Sequence, residues 1–381
     1  MPAARPGPAD RTPIPLSVLT GFLGAGKTTL LNRLVADEGM ADTALIINEF
    51  GEVGIDHLLV ETANEDIVEM SSGCLCCTIS GDLIRTLEDL VARRDAGEIR
   101  HFSRVVIETT GLADPAPVLH TIMNHNYLVY RYRLASVVTV VDAVNGMATL
   151  DAHAEAVKQA AMADRLVLTK TDLLDEGGPD GLDVLKARLR ELNPAAPILD
   201  AARGEAVAAR LFDAGLYDPE AKSPDVVRWL AAEAYDGDGR HDHGHGHEHD
   251  HDHDPNRHDE HIRAFCITTD QPIKATSLEL FMELLRLQHG NGLLRLKGIV
   301  LLEEEPERPV VIHAVQHVFH PPVRLGQWPG DGERLTRLVC ITRDVEKSQI
   351  EGLLEAFTDR LTDGGAAFRD MTLSLRPGGG R

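Results

Sequence analysis

The sequence predicts an α/β fold, a mostly parallel sheet covered by helices, followed by a small α+β domain. Three observations predict it. Apolar runs of strand length alternate with stretches whose apolar residues recur at helical spacing, the pattern of a parallel sheet buried on both faces. Acids and glycines follow the ends of those runs, where open α/β sheets place their chemistry. A His/Asp tract then breaks the pattern, and the runs beyond it come in a different order.

The elements follow in order. Residues 1–13 are Pro/Ala-rich, with Arg5, Asp10 and Arg11, and read as a disordered tail. Residues 16–19 form the first buried strand. Gly21-Phe22-Leu23-Gly24-Ala25-Gly26-Lys27-Thr28 follows, and a helix opens at Thr29. This is G-x-x-x-x-G-K-[ST], a phosphate-binding P-loop, and the strand before it and helix after it supply the context the motif needs. A chance Gly-rich turn would not require strand, loop, Lys-Thr and helix in this order. Glycines let the backbone curl until its N–H groups face the phosphates, and the helix N-terminus adds partial positive charge. Lys27 reaches the β- and γ-phosphates, and the Thr28 hydroxyl takes one position on Mg²⁺. Gly21, Gly24, Ala25, Gly26, Lys27, Thr28 and Thr29 are the candidate phosphate-binding residues.

Residues 43–47 read as a second strand, followed by the loop Asn48-Glu49-Phe50-Gly51-Glu52-Val53-Gly54-Ile55-Asp56. A short apolar stretch over 66–70 leads into Gly73-Cys74-Leu75-Cys76-Cys77, and a helix begins at Thr78. Strands follow at 103–107, 135–141, 165–168 and 197–199. The first three end in Glu108-Thr109-Thr110-Gly111, in Asp142 and in Thr169-Lys170-Thr171-Asp172. Helical patterns lie near 117–124, 152–163, 181–192 and 204–213. These elements make a P-loop NTPase domain over 14–218.

Residues 219–261 form a linker, with a helix-like piece at 226–234 and then His241, His243, His245, His247, His249, His251 and His253 among acids. The tract has no apolar content and cannot fold alone. Residues 262–373 read as strands at 263–269, 293–302, 310–318 and 335–343, with helices at 277–289 and 346–361. That β-α-β-β-β-α order implies helices on one face of a mixed or antiparallel sheet. Residues 374–381 read as a flexible tail.

Composition narrows the class. The net charge of −22 argues against a nucleic-acid or anionic-membrane binder, since both need basic surface. No apolar run approaches the ~20 residues of a membrane span, and residues 1–15 lack the apolar core of a secretory signal. The chain reads as cytoplasmic. Of five cysteines, three are clustered, which is not a disulfide framework. Cys266 and Cys340 lie in apolar strand-like runs and read as small core residues.

Four motifs carry chemistry. Glu108 at a strand end can hold a Mg²⁺-bound water, and the N–H of Gly111 can sense a γ-phosphate; a capping Thr pair is the plainer alternative. Thr169-Lys170-Thr171-Asp172 has the form of the guanine-reading N-K-x-D, with Thr where Asn is usual. The Asp172 carboxylate would accept from the two N–H groups of guanine's edge while the Lys170 stem stacks on the base. Adenine lacks that donor pair, so GTP is favoured, with ATP left as an alternative. Cys74, Cys76 and Cys77 can converge on one soft ion, Zn²⁺ or Cu(I). A fourth position is left for water, Glu49, Glu52 or a His, against redox or structural thiols. The His tract reads as an auxiliary, weaker metal store, against a solvated acidic linker.

Together these segments, in this order, resemble the CobW-type metal-chaperone GTPases, related to the UreG and HypB metal-insertion GTPases. The Cys-x-Cys-Cys between two switch-like segments is the specific part of the likeness, which covers roughly residues 14–360. The resemblance implies that Lys27, Thr28 and Glu108 serve phosphates and Mg²⁺, and that residues 48–56 respond to the nucleotide. It implies that Cys74, Cys76 and Cys77 bind the transferred metal, Lys170 and Asp172 the base, and that the C-terminal domain docks a client metalloprotein. The expected function is GTP-driven delivery of Zn²⁺. Delivery of Co²⁺, and zinc storage on the His tract beside a vestigial nucleotide site, remain as alternatives. A homodimer is compatible with the sequence.

Overall fold

The computed structural model describes residues 12–47, 67–69, 77–174, 179–212, 261–329 and 333–358. The first domain runs β1 (Ile14–Gly21), α1 (Lys27–Val35), a 3-10 turn (Glu38–Met40), β2 (Thr43–Ile47), β3 (Ile67–Glu69), α2 (Cys77–Ala96) and β4 (Arg104–Glu108). It continues with α3 (Pro115–Met123), α4 (Leu128–Arg131), β5 (Tyr132–Asp142), α5 (Gly146–Ala152), α6 (Ala154–Met162) and β6 (Arg165–Thr169). A 3-10 turn (Thr171–Leu173), α7 (Pro179–Leu192), β7 (Ile198–Asp200) and α8 (Ala208–Phe212) complete it.

The seven strands form one sheet in the order β3-β2-β4-β1-β5-β6-β7, and every pairing in it is parallel. Successive side chains leave a strand on opposite faces, which explains the unbroken apolar runs. Val18, Val105 and Ile107 face a core built with Leu87 and Leu119. Their neighbours Leu19 and Val106 face a second core with Leu31, Val138 and Val167. The parallel sheet covered by helices is the predicted fold class.

Two local features shape the site. Asp114 caps α3, its carboxylate accepting from the Ala116 N–H at 3.0 Å, and Pro115 fills the first helical position. The helix expected over 152–163 is α6, and a further helix, α5, precedes it across His153, whose backbone is extended at φ −135°, ψ 108°. The break sets the His153 ring in a stack on Phe22 of the P-loop, centroids 4.4 Å apart.

The second domain runs β8 (Ile262–Thr269), α9 (Ala275–His289), β9 (Leu293–Val300), β10 (Val310–Val315), β11 (Val318–Phe319), β12 (Val323–Arg324), β13 (Thr336–Arg343) and α10 (Lys347–Thr358). Its sheet, β11-β10-β9-β13-β8 with β12 on β10, is antiparallel. One face carries Phe265, Leu296, Ile312 and Cys340 against Phe281 of α9 and Leu354 of α10. The other turns to the first domain, where Leu294, Val315, Val318 and Ile341 join Leu119, Ala161 and Met162 in one core. Cys266 and Cys340 are both buried, as core residues should be, and burial pushes the Cys340 thiol up.

The boundary between the domains also buries charge. Asp164, fully buried, accepts from Arg295 at 2.5 Å and Lys297 at 2.7 Å through Oδ1. Its Oδ2 accepts from the Val137 N–H at 2.9 Å. Burial alone would raise its pKa, but the two cations hold it well below the usual carboxylate range. His313 and His320 stack beside it at 4.3 Å, and burial lowers the His313 pKa to about 4.

Candidate nucleotide site

The carboxyl edge of β1 curls at once into the P-loop. Gly21 passes so close to β5 that a Cβ would lie 2.3 Å from the Val140 carbonyl oxygen. Gly26 caps α1 at φ 90°, a conformation that favours glycine. Lys27 is buried at the centre, its Nζ donating to the carbonyls of Gly21 at 2.9 Å and Phe22 at 3.3 Å. Thr28 and Thr29 follow in the first turn of α1, Thr28 partly buried and Thr29 exposed. The aligned N–H groups of that turn favour an anion.

Glu108 ends β4, between β1 and β2 in the sheet. It is buried, and its Oε1 lies 3.5 Å from the Thr28 hydroxyl. Two hard oxygen donors meeting beside a phosphate loop suit Mg²⁺. The backbone beyond is tied down: Thr109 N–H donates to Leu19 at 2.9 Å, and its hydroxyl to that of Thr20 at 2.9 Å. Gly111 is pressed on the P-loop, where a Cβ would sit 2.7 Å from the Leu23 nitrogen. The expected Mg²⁺ and γ-phosphate residues are thus brought together with the P-loop.

Lys170 sits in the left-handed region at φ 59°. Its Nζ donates to the P-loop carbonyl of Gly24 at 2.8 Å and to Asp142 at 2.7 Å. Burial would raise the Asp142 pKa, but hydrogen bonds from Lys170, Asn145 and the Val144 N–H outweigh it and hold the carboxyl below its ordinary value. Asp172 is exposed. Beside the loop opens a cavity of about 250 Å³, with Phe22, Gly24, Asp142, Asn145 and Lys170 in its walls.

Some parts of the site were not read from the sequence. Thr169, the departure from the usual Asn, donates to the P-loop carbonyl of Ala25 at 2.6 Å, so a hydroxyl ties loop to strand. Thr171 donates to Asp200 at 2.7 Å, whose same oxygen accepts the N–H groups of Ala202 at 2.9 Å and Arg203 at 3.3 Å. The turn after β7 is thereby tied to the T-K-T-D segment. An acid at a strand end, the signal that marks Asp142 in the sequence, was also available for Asp200.

The metal residues are described only in part. Glu49, Glu52, Cys74, Cys76 and His241 to His253 lie outside the described residues, as does the side chain of Cys77. The expected helix-like piece at 226–234 also lies outside them. Ile47 of β2 is in register with both Glu69 of β3 and Glu108 of β4. The strand preceding the cysteines therefore ends two strands, roughly 10 Å, from Glu108. Among the described residues no group of His, Cys, Asp and Glu side chains is placed to hold a metal. No helix among them is long and apolar enough to cross a membrane.

A P-loop on a parallel sheet, a Thr–Glu pair beside it and a lysine clamped from the T-K-T-D segment onto the loop define the protein as a P-loop GTPase with an appended second domain. Residues 15–200 match the CobW/HypB/UreG nucleotide-binding domain, and residues 262–358 match the cobalamin synthesis protein cobW C-terminal domain. The chain belongs to the CobW family. It is 33% identical over 307 residues to the zinc chaperone YjiA of Escherichia coli, covering 81% of this chain and 87% of that one. It is 32% identical over 383 residues to the zinc chaperone CobW of Pseudomonas aeruginosa, covering 90% of each. The structure of Zn(II)-bound YjiA GTPase from E. coli matches with a TM-score of 0.59 at 26% identity, covering 91% of this chain and 100% of that chain.

Proposed function

We propose that this GTPase couples GTP hydrolysis to the delivery of Zn²⁺ to a client metalloprotein. The observation that carries the nucleotide half is the meeting of Thr28 and Glu108, 3.5 Å apart, beside the buried Lys27. In this reading the backbone of Gly21, Gly24, Ala25 and Gly26 and the first turn of α1 at Thr29 cradle the phosphates. Lys27 neutralises their charge, and Gly111 faces the γ-phosphate. Thr28 and Glu108 hold Mg²⁺, which when bound offsets charge developing on the phosphate oxygens. Lys170 and Asp172 take the guanine.

Zinc is the cargo. Cys74, Cys76 and Cys77, with Glu49 or Glu52, are the proposed ligands: thiolates suit the ion, and three of them leave a position open for handing it on. Two things support this. Curated relatives are named zinc chaperones, and the strand leading to the cysteines ends at the same sheet edge as Glu108. The segment 48–56, after β2, is proposed to change order with the nucleotide and so alter the thiol geometry. The second domain is the proposed client dock, and His241 to His253 the auxiliary store.

The test is GTP hydrolysis with and without one equivalent of Zn²⁺, in wild type, Lys27→Ala and a Cys74/Cys76/Cys77→Ser variant. Turnover should vanish in Lys27→Ala, and its response to zinc should vanish in the cysteine variant. Turnover that persists in Lys27→Ala refutes the nucleotide site. Metal delivery that survives Lys27→Ala but not deletion of residues 241–261 favours storage instead.

A further inference from the structure

The segment Thr110–Asp114 between β4 and α3 is gripped from outside by α6. The Gln159 side chain, 1% exposed, donates through Nε2 to the carbonyls of Gly111 at 3.3 Å and Ala113 at 3.0 Å. The adjacent Lys158 pairs with Asp114. Within the turn, the Ala113 N–H donates to the Thr110 carbonyl at 3.0 Å. A trans peptide points its N–H opposite to its C=O. The Thr110 bond therefore turns the Gly111 N–H away from the interior of the turn, and the two Gln159 bonds fix the planes that follow.

The amide orientation is set by chemistry. With the amide reversed, Oε1 would face two carbonyl oxygens. As it stands, Oε1 is buried without a hydrogen-bond partner, a state that costs stability. An apolar side chain of the same length would fill the space without that cost, so packing does not account for the amide. Its base is rigid. Thr139 donates to the Gln159 carbonyl at 2.7 Å. Asn193 Nδ2 lies within 3.1 Å of the carbonyls of Ala160, Ala161 and Ala163, and the next residue is the anchored Asp164.

From this geometry we infer that Gln159 is a positioning residue for GTP hydrolysis. Its amide holds the turn at Gly111–Ala113 against the P-loop in the orientation the reaction uses. The inference rests on the nucleotide-site reading above. It predicts a defect in turnover rather than in binding, because the phosphate cradle itself is untouched.

The test uses full-length protein carrying Gln159→Met, which keeps length and removes the amide, and Gln159→Glu. Steady-state kcat and KM for GTP, and Tm, are measured beside wild type and Lys27→Ala. Loss of two donated hydrogen bonds should lower kcat of Gln159→Met about tenfold or more, with KM close to wild type and only a modest fall in Tm from the two carbonyls left unpaired. Gln159→Glu should lose more where its carboxyl is ionised and recover in part as the pH falls, because a protonated carboxyl can donate one hydrogen bond to these carbonyls. A packing role would not give that recovery. Unchanged kcat in Gln159→Met overturns the inference, as does a kcat loss matched by falling Tm without acid recovery in Gln159→Glu. If wild-type turnover does not need Lys27, the site reading fails and the inference falls with it. If Lys27 is essential and Gln159 is not, only the inference falls.

Discussion

Replacing Asp164 by Asn leaves the shape of the domain boundary intact and removes the anion that Arg295 and Lys297 share. Asp164 is 0% exposed and Arg295 3%, and the carboxylate faces Arg295 at 2.5 Å and Lys297 at 2.7 Å. Two buried cations would then share no countercharge. Breaking a buried pair by removing one partner costs about 3–5 kcal/mol. At about 2–4 °C per kcal/mol, the value for domains of about 150–250 residues, the expected fall in Tm is roughly 6–20 °C. Calorimetry on the full chain measures it. The companion variant Arg295→Met removes one of the stranded cations, so the double variant should be less unstable than the two single losses combined. The coupling between neighbours in one network should be at least about 1 kcal/mol. A Tm for Asp164→Asn within about 1 °C of wild type, or strict additivity with Arg295→Met, would refute the electrostatic account of the boundary.

Two further outcomes are expected. The folded pKa of His313, about 4, lies below its unfolded value, so the native state binds fewer protons. Stability is then fully present above about pH 6.5 and is lost as the pH falls from there through 4, by about 3 kcal/mol in all. His320 is lowered by burial as well, and Asp164 stays ionised across that window. Urea midpoints from pH 7 to 4 report the loss, which should shrink in His313→Gln; a flat profile above pH 4 would contradict it. Asp172→Asn should weaken GTP roughly 10- to 150-fold, the range for hydrogen bonds to a charged group. ATP binding should scarcely change, as read by competition against a labelled guanine nucleotide. An equal loss for both nucleotides would remove Asp172 from base recognition.

Much of the site was legible because its chemistry is local. The P-loop holds its glycines, Lys27 and Thr28 within eight residues, and Glu108 and Lys170 each follow a strand whose apolar run marks the sheet edge. What was not legible depends on chain segments far apart in sequence. Thr169 looks like a weakened base motif until its hydroxyl is seen on the Ala25 carbonyl. Gln159 sits in an ordinary alanine-rich helix and acquires its partners only because α6 packs beside the turn after β4. His153, between α5 and α6, stacks its ring on Phe22, a contact no helical periodicity records. The two-residue strands β11 and β12 are too short for alternation to show.

The Asp164–Arg295 pair also sets a timetable for synthesis. The two residues are separated by 131 positions, so the carboxylate is made well before its partner strand. At about 5–20 residues per second, Asp164 waits about 7–26 s before Arg295 has been added. Once β6 and β7 have followed, the parallel sheet still carries an acid without its two cations and an uncovered apolar face at Ala161 and Met162. The nascent first domain is therefore most exposed to aggregation and to chaperones in that window, which begins to close with β9 and is complete when β10, β11 and β13 have added Val315, Val318 and Ile341.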